Sequence, residues 1–386
     1  MIQQAEAKQL GKKADAIDVE ALIQHVDGYM TSIPSQSDLR NIASWYRSRL
    51  CALKAGQLKS IADKNSLLVG AVLLRERKLV SWVLDNGGSS DAISEKDSLA
   101  RPAMIFASAN GDVDTLNLLA SRGANIDAKS ARGVTSVMAA CGAGQEVSFD
   151  WLHGKGANIG EKDNDGMTTL MYAAGGGSVK IVLALVSKGA DVNQRYENKI
   201  GTLTALVYAI AGKKTVLVER LIELGADPNM ARNSKGENIA LRAAIETEDF
   251  AVLRALFTSN AKGRAVSVKN EDLVFAVRKT GQTAIVKTLL ENGASADTDG
   301  LLAAVLCGKT EIVDLLCKNG ADVNGMTKEF EELDCKSILE VAIKKKDIEM
   351  VKTLVGLGAD VSKVNVRNVG VDQSIRDFLI SKGAQY

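Results

Sequence analysis

Few side chains in this sequence are of types that do chemistry, and their spacing decides what they could do. The possible nucleophiles, bases and metal ligands are Cys51, Cys141, Cys307, Cys317 and Cys335, with His25 and His153. A thiol beside an imidazole is an activated nucleophile, and Cys51 with His25 is the pair to consider in the N-terminal element. That stretch is a helical element of about 60 residues, which leaves little room for an oxyanion site. His153 falls in an apolar slot of a helix, equivalent to Val186, and reads as a packed core histidine. The cysteines are odd in number and scattered, as reduced thiols of a reducing cytosol are, and neither histidine accompanies a Cys pair at zinc-site spacing. The acidic string EKDNDG (161–166) has calcium-ligand types without the twelve-residue loop or its closing Glu, so a solvated hairpin tip is expected there. Gly175, Gly176 and Gly177 stand between two helical stretches with no strand before them, which excludes a phosphate loop. The motifs G-x-x-x-x-G-K-[ST], G-x-S-x-G and H-E-x-x-H do not occur. No catalytic residue, metal, cofactor or small-molecule substrate is expected, and the chain reads as a non-enzyme.

The elements that would position any site are organised around residues 163–193, DNDGMTTLMYAAGGGSVKIVLALVSKGADVN. Leu170, Ala173 and Ala174 have helical spacing, with Thr168 placed as an N-cap. The three glycines break this helix, and 179–188 then puts Val179, Val182, Leu183, Leu185 and Val186 on one apolar side of a second helix. Gly189 ends it, because the residue after a helix commonly turns left-handed and glycine does so without a Cβ penalty. Neither helix is long enough to be stable alone, so the unit must stack on copies of itself.

The copies are present. The helix-ending residue recurs at Gly87, Gly123, Gly156, Gly189, Gly225, Asn260, Gly293, Gly320, Gly358 and Gly383, with spacings of 36, 33, 33, 36, 35, 33, 27, 38 and 25. Sixteen residues before each of the first nine stand Ala71, Ala107, Ala140, Ala173, Ala209, Ala244, Val277, Ala304 and Ala342, small residues that let helices approach. Five residues before the alanine, an N-cap slot holds Ser66, Thr135, Thr168, Thr204 and Ser337.

With these residues in place the sequence resembles the ankyrin-repeat family over about residues 64–386. The family pattern G-x-T-P-L-H-x-A-A-x-x-G-H-x-x-x-V-x-x-L-L-x-x-G-A-D-x-N is matched by Gly166, Thr168, Leu170, Ala173, Ala174, Gly177, Val182, Leu185, Gly189, Ala190, Asp191 and Asn193. The Pro-Leu-His core is absent, and Met138 or Met171 stands where the bridging histidine would be. The resemblance implies an all-α ankyrin solenoid of about nine to ten helix-turn-helix repeats that binds a protein or extended peptide on its concave face. It also implies contact positions: Arg132 and Val134; Asn164, Asp165, Met167 and Gly175; Leu203 and Gly212; Asn238 and Glu246; Lys279 and Thr280; Leu306 and Cys307; Lys344 and Lys345. Tyr196, on an inserted loop tip, is a candidate aromatic anchor. Family members are often hydroxylated at the hairpin Asn, which points to Asn193, Asn229 and Asn324.

The rest of the chain is read around this array. Residues 1–16 read as a mobile tail. Residues 17–62 read as an N-terminal helical element, with one helix over 17–31 started by Asp18 and another over 38–55. Leu22, Val26, Tyr29, Asp38, Leu39 and Trp45 there are faintly similar to the F-box pattern, without its opening Leu-Pro. This leaves two readings of the element: a cap on the repeat array, or a contact surface of Leu22, Tyr29 and Trp45 by which a ubiquitin-ligase adaptor, of the kind that intracellular bacteria export into host cells, recruits its partner. Insertions fall after Asn193 and after Asn324, in loops that tolerate them. The turn with Glu246, Glu248 and Asp249 is acidic, and Lys344, Lys345 and Lys346 form a basic one. A net charge of +1 argues against bulk attraction to nucleic acid or anionic membrane. No apolar run reaches membrane-span length and the start lacks a signal-peptide core, so a soluble, cytoplasmic monomer is expected.

Overall fold

Paired helices recur along the chain because each repeat carries two short apolar stripes and two chain reversals. In the computed structural model, residues 17–32, 38–54, 61–94, 97–258, 266–362, 364 and 372–384 are described. The expected tail over 1–16, and Asn260, lie outside them. Contacts divide the chain into two compact units, residues 1–198 with 204–220 and residues 199–203 with 221–386.

In the first unit, α1 (Val19–Ser32) and α2 (Asp38–Lys54) precede α3 (Ile61–Leu73) and α4 (Arg77–Asp85). Asp18 starts α1 as expected, its Oδ1 accepting from Ala21 N at 3.0 Å. Ile42, Tyr46 and Leu50 from α2 share one core with Leu67, Leu68 and Val72 from α3 and Leu79 and Val83 from α4. A Cβ at Gly70 would overlap the Tyr46 ring, so glycine is what lets α2 lie this close. Three helix pairs follow: α5 (Ala103–Asn110) with α6 (Val113–Ser121), α7 (Ser136–Gly142) with α8 (Glu146–Gly154), and α9 (Thr169–Gly176) with α10 (Val179–Ser187). The two-residue strand β1 (Tyr196–Glu197) marks the first insertion, before α11 (Ala205–Ala211); β2 (Thr202–Leu203) belongs to the second unit. The first helices stack in the order α3, α5, α7, α9, α11, with α4, α6, α8 and α10 as an outer row.

Beyond α12 (Thr215–Glu223), the second unit repeats the arrangement. Its pairs are α13 (Ile239–Thr247) with α14 (Phe250–Thr258), α15 (Asn270–Lys279) with α16 (Thr283–Glu291), and α17 (Thr298–Leu306) with α18 (Thr310–Lys318). The second insertion folds α19 (Glu329–Leu333), which buries Phe330, before α20 (Ile338–Lys344), α21 (Ile348–Gly356) and a final α22 (Gln373–Ser381). Within this unit α13, α15, α17 and α20 stack as the inner row.

The all-α ankyrin fold expected from the repeat is the fold observed. Every member of the small-residue series is at most 1 % exposed. Every described glycine of the helix-ending series is left-handed, with φ between 85° and 100°. A second left-handed position, twelve residues earlier, turns the chain between the two helices of each pair: Arg75, Gly111, Gly144, Gly177, Lys213, Glu248, Gly281, Gly308 and Lys346, with φ from 54° to 86°.

Three local expectations are corrected. The glycine run does not break α9 at Gly175: the helix continues through Gly176, whose missing Cβ lets it press against the Cys141 carbonyl, and only Gly177 turns, at φ 86°. Ser66 is not an N-cap, because α3 begins earlier, at Ile61, to pack on α2; its hydroxyl is buried without a hydrogen-bond partner. Thr135, Thr168 and Ser337 do cap, accepting from Met138, Met171 and Glu340 N at 3.3, 3.3 and 3.2 Å, whereas Thr204 stands at its N-cap without a side-chain bond.

Candidate interaction face

The loop entering each inner helix is a finger built by its own side chains. In the Asp163 finger, the main chain closes through Asp163 N to Met167 O at 3.0 Å. Asp163 Oδ1 accepts from Asp165 N at 3.0 Å and Met167 N at 2.8 Å, and Oδ2 accepts the Tyr172 hydroxyl at 2.7 Å. The carboxylate expected on a solvated tip is therefore buried and organises the loop. Asn233 does the same in the second unit, its Oδ1 accepting from Lys235 N and Glu237 N, both at 3.0 Å. Fingers are also tied to each other: Asn164 N donates to Arg132 O at 2.8 Å and Asn164 Nδ2 to Ala131 O at 2.9 Å. Gly133 permits this approach, since a Cβ there would strike Asn164.

The first unit gathers several of the sequence-derived contact positions. Arg132, Asn164 and Asp165 are exposed on neighbouring tips, and Val134 and Met167 are half-buried beside them. Behind the fingers, the inner helices offer small exposed residues, Gly142 on α7 and Gly175 on α9. Two tyrosines that sequence reasoning passed over rise between finger and helix. Tyr172 and Tyr208 each stand one residue before the small-residue series, 36 residues apart, which was the signal available. Tyr208 Oη donates to Met167 Sδ at 3.6 Å. Burial pushes the Tyr208 phenol up to about 12, and burial with the Asp163 bond raises Tyr172 further, so both rings stay neutral at ordinary pH.

Other positions serve the fold. Leu203 is 6 % exposed, a core residue with no surface to offer. Tyr196, expected as an exposed anchor, is half-buried beside Gly166. In the second unit Glu246 meets Lys279 at 3.3 Å, so part of the acidic turn is offset by a surface ion pair between neighbouring repeats. Lys344 turns to Asp334 at 3.3 Å and to the Leu333 carbonyl at 3.2 Å, and Lys345 Nζ takes the Leu306 carbonyl, while Leu306 is half-buried. Both lysines thus link neighbouring turns rather than forming a free basic patch.

In the N-terminal helices, Leu22 and Tyr29 pack against the core, and Trp45 lies under the Arg49 guanidinium at 3.9 Å. His25 Nδ1 faces Glu76 Oε1 at 2.6 Å and not Cys51, which is exposed. His153, expected in the core, is half-buried and stacks on Phe149 with centroids 6.1 Å apart. A cleft of about 280 Å³ lies between Glu161, Thr169, Leu185 and Lys188, and none of the contact positions lines it. Among the described residues no group of His, Cys, Asp or Glu could hold a metal ion, and no helix is long and apolar enough to cross a membrane.

Stacked helix pairs with two left-handed turns per repeat and a finger loop before each inner helix define a helical-repeat interaction protein. The family model for ankyrin repeats matches residues 103–196 and 273–365, so the chain carries ankyrin repeats. It is also similar to a putative ankyrin repeat protein of fowlpox virus (strain NVSL), 28 % identical over 147 residues, or 35 % of this chain. The match spans about a third (33 %) of that relative's length. Ankyrin repeats in general bind protein partners and are not catalytic modules.

Proposed function

We propose that this chain is a non-enzymatic binding module that takes a protein or extended peptide on the finger-and-inner-helix face of its repeats. The observation that carries this reading is the first unit's face: fingers locked to one another by main-chain bonds, above inner helices that present glycine and tyrosine to solvent. A surface rigid before binding loses little entropy on complex formation. The working compartment is the cytoplasm, as a monomer, or a host cytosol if the chain is exported. The adaptor reading finds less support, because Leu22 and Tyr29 are engaged in packing within the chain.

Site-specific photo-crosslinking in cell lysate tests the face. A crosslinking residue at Asn164 or Gly175 is expected to trap a protein that one at Val147, 66 % exposed on outer helix α8, does not. Crosslinks confined to α8 or to the N-terminal helices would overturn the proposal, and the latter outcome would restore the adaptor.

A further inference from the structure

Three tyrosines of the first unit come together around one finger, from three different places in the sequence. Tyr172 is on α9, Tyr208 on α11 and Tyr196 on β1. The Tyr196 ring lies 3.9 Å from where a Gly166 Cβ would stand, and Tyr208 reaches Met167 of the same finger at 3.6 Å. The three phenols are electrostatic neighbours, Tyr172 of Tyr208 and Tyr208 of Tyr196. Gly142 leaves room for the Tyr172 ring, whose Cδ1 would be 3.4 Å from a Cβ there.

We propose that Tyr172, Tyr196 and Tyr208, with Asp165 at their edge, form a seat for a cationic side chain, lysine or arginine, of an extended partner segment. The inference rests on the peptide-binding reading above and specifies its chemistry. A neutral aromatic face carries negative potential, and rings from several directions attract one cation cooperatively with a carboxylate. Two of the three hydroxyls are held by the finger, Tyr172 by Asp163 and Tyr208 by Met167. The two neighbouring carboxylates are not equivalent. Asp163 is buried and spent on its own loop, whereas Asp165 is exposed with no ion pair among the described residues. Lys129, at the base of the preceding finger, is paired with Glu161 at 2.9 Å.

The test uses the full chain and an array of random peptides, first selecting those it retains. Peptides with Lys or Arg at one fixed position are expected to predominate, and changing that residue to Met should weaken binding about 10-fold. The same change should have little effect on binding to Tyr208→Ala or Asp165→Asn, while Tyr208→Phe, which keeps the ring, should behave as the parent. Circular dichroism of each variant confirms its fold. If retained peptides bind equally well with Met in place of the cation, the seat is wrong and the peptide-binding reading stands. If no peptide is retained and photo-crosslinking also finds no partner on this face, both fail.

Discussion

Asp112 is 3 % exposed and joins one repeat to the one before it. It caps α6, accepting from Thr115 N at 3.3 Å and Thr115 Oγ1 at 2.7 Å, and meets Arg77 of α4 at 2.8 Å. Burial works against its charge, but the bonds from Thr115 and Arg77 outweigh it and hold the carboxyl below its ordinary 3.8. The folded state therefore releases the proton more readily than the unfolded state. The stabilisation is complete well above pH 3.8 and is lost as pH falls below it. Asp112→Ala should cost about 1–2 kcal/mol in chemical denaturation, as expected for a lost buried cap; Arg77 keeps Asp114 as a partner. Asp112→Asn should keep most of the cap and flatten the acid limb of a stability-against-pH curve; an unchanged limb would show that other carboxylates carry it. This residue scale was the least legible in the sequence. Asp163 was read as a solvated tip because nothing local shows that Tyr172, nine residues on, returns its hydroxyl to it.

At the scale of the element, the caps and turns separate positions that look alike in sequence. Thr168 accepts from Met171 N, so Thr168→Ala should destabilise by about 1 kcal/mol. Thr204 occupies the same slot with its hydroxyl buried and unpaired, so Thr204→Val should be neutral or stabilising in the same melt. The turn between paired helices makes a similar distinction. Lys213 and Gly177 share one left-handed position, at φ 54° and 86°, where a side chain costs about 1 kcal/mol. Lys213→Gly should therefore stabilise by about 0.5–1 kcal/mol, and Gly177→Lys should destabilise by more, since a Cβ there would also strike the Lys214 chain. Equal and opposite effects would mean that backbone strain alone sets the difference. The period, the alanine stripe and the outer glycines were legible because each repeats at fixed offset. The inner left-handed series is hidden in the sequence because four of its nine described members are not glycine: Arg75, Lys213, Glu248 and Lys346. The start of α3 is not legible in the sequence because only its packing on α2, a nonlocal contact, explains the extra turn.

For the whole molecule, the N-terminal helices share a core with the first repeat, so removing residues 1–54 should expose Leu67, Leu68 and Val72. Apolar burial is worth about 25 cal/mol per Å², and the shortened chain should melt at lower temperature and elute as larger species in gel filtration. An unchanged melting curve would make α1 and α2 an independent appendage. The fold class was readable from sequence because a repeat array needs only nearest-neighbour rules, whereas the interaction face depends on side chains that meet across repeats. The bond between Asn110 and the end of α3 has a further consequence. Asn110 Nδ2 donates to Val72 O at 3.0 Å and Leu73 O at 3.2 Å, so a helix end is completed by a residue 38 positions later in the chain. Ribosomes add about 5–20 residues per second, so although Arg75 N reaches the Val72 carbonyl locally at 3.2 Å, the helix end waits about 2–8 s for the Asn110 side chain. During synthesis, then, the newest finished repeat would always be the least secure one, and a pause in translation would leave that open end within reach of chaperones.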